Sequence, residues 1–285
     1  MQANAGFKRA AGLFVLCLGA CKARSASQEL VEPASKRGYR VIEREGHDAK
    51  QPAAVLFALH AHATPSETLP DAFSLSKAAT EQNFLVVIPR GTNDADGNGF
   101  WNASRACCGN TQAEVDDLGY LHGVFVDLKR HYAVDEARVY ALGVSNGAFM
   151  AHRWACSSSD LTGIAAISGV GPGPDDPPCL PKRPVRVLQI HGDRDEIVLY
   201  GGGQGVKGRY PSAYESTKRW ADLNGCRTQR APEREFFVLH GQTRREKWCD
   251  REASVLLWTF EGGEHYLKSA RYLRSEVIDF LDARP

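Results

Sequence analysis

Three residues far apart in the chain have the types and settings that nucleophilic acyl transfer needs: Ser145, Asp195 and His265. Ser145 lies in Gly143-Val144-Ser145-Asn146-Gly147, after an apolar, β-prone run (139–142) and before Phe149, Met150 and Trp154 at helical spacing. A serine between two glycines at a strand–turn–helix corner is the nucleophile-elbow pattern. The turn is too tight for side chains at the flanking positions, and the hydroxyl stands over a helix N-terminus. That dipole and the N–H of Asn146 favour an oxyanion. A serine hydroxyl is still a weak nucleophile until a base takes its proton and an acid orients the base.

The base and acid are sought at the ends of later strands. A strand over 185–190 runs into His191-Gly192-Asp193-Arg194-Asp195, where two aspartates compete. Asp195 is the expected acid because Ile197 and Val198 can pack its loop down, whereas Asp193 suits a turn or an ion pair. Downstream, His240 follows a strand over 235–239 and His265 follows one over 254–260. His265 is the expected base: the flexible Glu261-Gly262-Gly263-Glu264 can deliver it to the elbow, and a terminal helix (269–281) follows. A second oxyanion N–H should come from His60-Ala61-His62, after the apolar strand 53–59, with His62 or Ala61 as donor. One such donor lowers a barrier by about 3 kcal/mol.

The remaining pattern supplies the scaffold. A first, edge strand is expected over 39–43, a helix over 71–82, a strand over 84–88, a long amphipathic helix over 114–132, a strand over 163–167 and a helix over 212–223. Alternating strands and helices require a mostly parallel sheet covered on both faces, and the elbow narrows this to an α/β-hydrolase fold in one domain, 38–285. Between the strands ending near 168 and starting near 185 lie only sixteen proline-rich residues, too few for a helical lid. The site is therefore expected to be open.

With 35 Lys and Arg against 34 Asp and Glu, the charge balance implies neither an acidic nor a basic partner, and nucleic acid is not expected. Residues 1–20 read as an export signal, with Lys8 and Arg9 before a short apolar core ending Leu18-Gly19-Ala20-Cys21. That ending resembles a lipobox, so Cys21 is the expected lipidation site, 21–37 a flexible tether, and the protein lipid-anchored to the envelope or secreted. An oxidising compartment suits the six remaining cysteines. Six allow fifteen pairings; proximity favours Cys156–Cys179 and Cys226–Cys249, leaving Cys107 and Cys108 as a vicinal pair. A rival reading takes the same-face pairs His60/His62 and His191/Asp193 as metal ligands, but it leaves Ser145 without a purpose. No metal or cofactor is expected.

The ordered set Leu59-His60, Pro89-Arg90-Gly91-Thr92, Phe100-Trp101-Asn102-Ala103, Cys107-Cys108, Val115-Asp116-Asp117, the Ser145 elbow, His191-Gly192 with Asp195, Leu223-Asn224-Gly225-Cys226 and Gly262-Gly263-Glu264-His265 resembles the secreted polyhydroxybutyrate depolymerase and feruloyl esterase group, and carbohydrate esterases of the first family. The likeness runs from about residue 39 onward. It implies Ser145, Asp195 and His265 as the triad and the N–H groups of Asn146 and His62 as the oxyanion pair. Four positions depart from the family pattern: Ala61 and Ala63 stand where glycine is usual, Arg90 replaces an aspartate, and Glu264 replaces a glycine beside the base. The expected activity is hydrolysis of carboxylic esters on a bulky or polymeric substrate by a monomer, with Phe100 and Trp101 against the substrate, although Trp101 reads equally well as a core plug. The rival from another class is a non-catalytic surface lipoprotein that binds a glycan or polymer.

Overall fold

The computed structural model describes residues 24–108, 115–226, 231–238, 242–249, 254–266 and 273–283. The export signal, Cys21 and His240 lie outside them.

Ala53–Leu59 (β3) shows why this sequence builds a central sheet. All seven residues are apolar and all are buried, the signature of a strand covered on both faces. Val55, Phe57 and Leu59 pack into one layer, while Leu56 and Ala58 pack into the other. The first layer is closed by α3 (Asp117–His131), α4 (Asn146–Ser157) and α5 (Ala213–Leu223). The second is closed by α2 (Leu75–Gln82) and α6 (Arg274–Leu281). The result is a helix–sheet–helix sandwich.

In chain order the sheet strands are β1 (Ser25–Val31), β2 (Gly38–Arg44), β3, β4 (Phe84–Pro89), β7 (Val134–Val144), β8 (Gly163–Ile167), β9 (Arg186–Gly192), β12 (Glu233–Val238), β13 (Gln242–Cys249) and β14 (Val255–Phe260). Two short ladders join β5 (Thr92–Asn93) to β6 (Gly99–Phe100), and β10 (Gly203–Gln204) to β11 (Arg209–Tyr210). The ten sheet strands run in the order β1-β2-β4-β3-β7-β8-β9-β14-β13-β12. From β4 to β14 every neighbouring pair is parallel. At each end the sheet is extended by antiparallel strands.

Four expectations change here. Ser25–Val31, read as tether, is a strand paired along its whole length with β2. Its alternation is weak and mostly exposed, as suits an edge, so composition alone gave no strand signal. In consequence β2 is an internal strand rather than the edge. The helix over 71–82 is broken: α1 (Leu69–Ala72) ends at Phe73, and Ser74, at φ 49°, restarts the chain as α2. Finally β13, with charges at Arg244, Arg245, Glu246 and Lys247, offered no apolar run to read; it forms because β14 and β12 pair with it on either side. The stretch between β8 and β9 contains no helix.

Among the described residues three disulfides form, Cys107–Cys108, Cys156–Cys179 and Cys226–Cys249.

Candidate active site

The elbow forms because β7 turns into α4 within a single residue. Ser145 sits at φ 52° and ψ −116°, a region that costs a non-glycine residue of order 1–3 kcal/mol and is held only by its surroundings. What holds it is backbone: the Ser145 N–H donates to the Ile167 carbonyl at 2.8 Å. A Cβ on Gly143 would stand 2.6 Å from the Ala148 nitrogen, and one on Gly147 would stand 2.7 Å from the His60 oxygen. Both positions therefore require glycine, as the tight turn predicts.

His265 arrives from the end of β14. The Gly263 N–H donates to the Phe260 carbonyl at 3.0 Å and the Arg194 N–H to the Gly263 carbonyl at 2.9 Å, which ties the base loop to the acid loop. Two further contacts were not foreseen. The Ser168 hydroxyl, at the end of β8, donates to the His265 carbonyl at 2.8 Å. Asp193, the rejected acid, accepts the Gly262 N–H at 2.6 Å; it anchors the loop that carries the base.

The three side chains meet. His265 Nε2 lies 3.0 Å from Ser145 Oγ, and Nδ1 lies 2.8 Å and 3.0 Å from the two oxygens of Asp195. With a carboxylate at Nδ1, that nitrogen carries the proton and Nε2 is left to accept from the serine hydroxyl. Asp195 Oδ1 also accepts the N–H groups of Ile197 at 2.9 Å and Val198 at 2.8 Å. Burial alone would raise its pKa, but the hydrogen bonds from His191 and His265 outweigh that and hold it well below the usual carboxylate range. Asp195 is therefore ionised wherever the protein is folded near neutrality. All three residues are at least nine-tenths buried.

The loop after β3, expected to supply an oxyanion N–H, is less regular than its neighbours. Ala63 adopts φ 54°, a left-handed conformation that costs alanine about 1–2 kcal/mol. Its N–H is committed to the Gly99 carbonyl at 3.0 Å, so it is not a free donor. Asn146 braces this loop's neighbourhood: its Oδ1 accepts the Trp101 N–H at 2.6 Å and its Nδ2 donates to the Trp101 carbonyl at 2.9 Å.

Phe100 and Trp101, expected to face substrate, are both fully buried. Trp101 Nε1 donates to the His60 carbonyl at 3.1 Å, and its ring stacks on Tyr120. They are core plugs, because a loop enclosed by Asn146, Asp117 and His60 leaves an indole no solvent face. Asp117 accepts the Asn102 N–H at 2.7 Å and pairs with Arg37 at 2.6 Å. The histidines of the first same-face pair are instead engaged in hydrogen bonds. His60 Nδ1 is 2.8 Å from the Ala61 carbonyl and its Nε2 accepts the Gly91 N–H at 2.9 Å, while His62 Nε2 turns to Asp94 at 3.0 Å. Among the described residues no group of three metal-ligating side chains occurs.

Comparison with known proteins follows the same lines. Over 90% of its length the chain superposes on 98% of an acetyl xylan esterase from Aspergillus awamori, with a TM-score of 0.61 at 15% identity. The chain has the α/β-hydrolase fold. An S-formylglutathione hydrolase from Staphylococcus aureus also matches this chain, covering 91% of it and 97% of the neighbour, with a TM-score of 0.55 at 12% identity. In sequence the chain is similar to feruloyl esterase B of Piromyces equi, 28% identical over 201 residues, which is 67% of this chain and 35% of that protein. It is likewise 24% identical over 202 residues to a protein named "Probable feruloyl esterase C" of Aspergillus niger, covering 67% of this chain and 63% of that one. The chain thus spans between about a third and two thirds of the length of these curated relatives. No family model matches it.

Proposed function

We propose that this chain is a serine esterase that cleaves carboxylic esters through an acyl-enzyme. The observation that carries the reading is the continuous run of hydrogen bonds from Ser145 Oγ through His265 to Asp195. In this reading Ser145 attacks the ester carbonyl as His265 Nε2 takes its proton. The oxygen, now an anion, is received by the N–H groups of Asn146 and His62. The imidazolium, steadied by Asp195, returns the proton to the leaving alcohol. Water then repeats the sequence on the acyl-serine and frees the acid and the serine. Ala63 leaves the backbone path of the oxyanion loop in place at a local cost, which favours activity over a relic triad.

The substrate reading rests on what surrounds the triad. Ile197 and Leu199 after the acid and Tyr266 after the base are exposed apolar side chains, and the Tyr266 ring stands edge-on to His265 at 5.0 Å. They take over the role expected of Phe100 and Trp101, offering apolar contact to an acyl group. Beside the oxyanion loop a cavity of about 340 Å³ is lined by Glu67, Arg90, Asn93 and Asn98 among others, polar enough for a glycan. No helix is inserted between β8 and β9, which suits a polymer. Feruloyl or acetyl esters on plant polysaccharide fit both features; a polyhydroxybutyrate-type polyester would use only the apolar one. The three disulfides support an exported protein, with Cys21 as the proposed lipid anchor.

The test is hydrolysis of p-nitrophenyl acetate, methyl ferulate, acetylated xylan and a short hydroxybutyrate oligomer by the purified chain and by Ser145→Ala. Loss of at least about 10⁴-fold in kcat is expected for the variant. No hydrolysis of any of these by the parent chain would leave the polymer-binding reading instead.

A further inference from the structure

Behind the acid, side chains that the proposed reaction does not touch form a continuous polar path through the first core layer. It starts at Trp220 on α5, whose Nε1 donates to His152 Nδ1 at 2.8 Å. His152 Nε2 is 3.0 Å from Gln189 Oε1. Gln189 Nε2 lies 2.8 Å from the Gly169 carbonyl and 3.4 Å from His191 Nδ1. His191 Nε2 in turn lies 2.8 Å from the Val198 carbonyl and 3.2 Å from Asp195 Oδ2. Trp220, His152, Gln189 and His191 are essentially inaccessible to solvent.

The two ends of this path fix every proton in it. An indole N–H can only donate, so His152 Nδ1 accepts and its Nε2 must carry the hydrogen. The Gly169 carbonyl can only accept, so Gln189 turns its amide nitrogen that way and its oxygen toward His152. The remaining amide hydrogen points at His191 Nδ1, which leaves the proton of His191 on Nε2, where it is donated to the Val198 carbonyl with Asp195 Oδ2 alongside. Burial reinforces the assignment by pushing His152 down to about 4, so it stays neutral.

We propose that His191 is a positioning residue for the triad: its Nε2–H, held in one tautomer by Gln189, His152 and Trp220, pins the Asp195 carboxylate and its loop in the plane that His265 needs. The inference rests on the triad reading above. A solvated strand-end histidine would not need a tautomer fixed from another helix.

Few other charges reach these rings. Tyr200 stands edge-on to His191 at 5.8 Å, with its hydroxyl bonded to Thr259 at 2.9 Å and receiving Arg244 at 3.3 Å. Tyr266 and Ser145 face His265. Asp193, Arg194, Glu196 and Glu264 are close in sequence but exposed.

The experiment compares His191→Leu, which removes the donor, with His191→Gln, which restores an N–H at similar reach. Nitrogen-15 NMR of the histidine rings of the parent chain accompanies them. Without the donor, Asp195 has more charge to give His265, the imidazolium is favoured, and the acid limb of kcat/KM should move up by about half a pH unit or more. His191→Leu should lose at least ten-fold in kcat with KM within two-fold, and His191→Gln should recover most of the loss and the original limb. The parent spectrum should show the rings of His152 and His191 as Nε2–H tautomers. A folded His191→Leu with unchanged kcat and limb overturns the proposal, as do equal losses in both variants with no shift, or a Nδ1–H tautomer at His191. Labelling of the parent chain by a fluorophosphonate separates the two readings. If Ser145 is not labelled, the esterase reading falls; if it is labelled and His191→Leu reacts as fast as the parent, only this one falls.

Discussion

His60 and His191 occupy matching places and do different things. Each ends a buried parallel strand, each is followed by a small residue and then a polar one, and each is nearly inaccessible. His60 spends both ring nitrogens on backbone: Nδ1 on its neighbour Ala61 and Nε2 on the Gly91 N–H. It clamps the loop after β4 to the loop after β3. A Cβ on Gly91 would stand 2.7 Å from His60 Nε2, so the clamp works only because residue 91 is glycine. His191 instead meets the Gln189 side chain at Nδ1, and at Nε2 it has the Asp195 carboxylate beside the Val198 carbonyl. The same residue type is a backbone clamp where carbonyls and amides surround it and a link to the acid where side chains do.

The sharpest division is expected within the second motif itself. Asp195 faces His265 and Asp193 faces the Gly262 N–H. Asp195→Asn should therefore cost about 10⁴-fold in kcat with little change in KM, because the imidazole would settle in the wrong tautomer. Asp193→Asn should cost less than ten-fold, since an amide oxygen still accepts the same N–H. Steady-state kinetics on one p-nitrophenyl ester decides it, and equal losses would erase the distinction between the two aspartates.

Next in size is a pH effect on stability that belongs to the His191 side alone. His152 is lowered by burial from the ordinary 6.5 to about 4. The unfolded chain then binds a proton that the folded chain refuses between those values, so stability falls as pH drops from about 6.5 to 4. The span corresponds to about 3 kcal/mol. Urea melts at pH 7 and pH 4.5 should show the decline, and His152→Gln should flatten part of it. Asp195 adds nothing in this window: its depressed pKa keeps its contribution intact until the pH falls below the ordinary carboxylate range.

The smallest effect tests the clamp. His60→Leu leaves the Gly91 N–H without its partner and should destabilise the fold by about 2 kcal/mol. The position of the acid limb of kcat/KM should stay put, read from melts and a pH–rate profile on the same preparation. A moved limb would place His60 in electrical contact with the triad and abolish the contrast with His191.

Much of the scaffold was legible in the chain because its signals are local. The all-apolar 53–59 run and the Gly-x-Ser-x-Gly corner each act over a few residues. The edges were not legible. β1 and β13 bury too little apolar surface to show a period, and exist because a neighbouring strand supplies their hydrogen-bond partners. Nor was the fate of Trp101, since an indole in a loop looks the same whether it meets substrate or, as here, the His60 carbonyl.

By itself the sequence determined the residue types, the elbow, the spacing that brings a serine, an aspartate and a histidine to three strand ends, and the cysteine pairs within reach of each other. Only the tertiary structure decided which aspartate faces the imidazole, that Phe100 and Trp101 are sealed inside, and that Trp220, His152 and Gln189 stand in line behind Asp195. The reason is that a hydrogen bond depends on direction at the scale of an ångström, and α4, α5, β9 and β14 acquire their relative directions only when both faces of the sheet are packed.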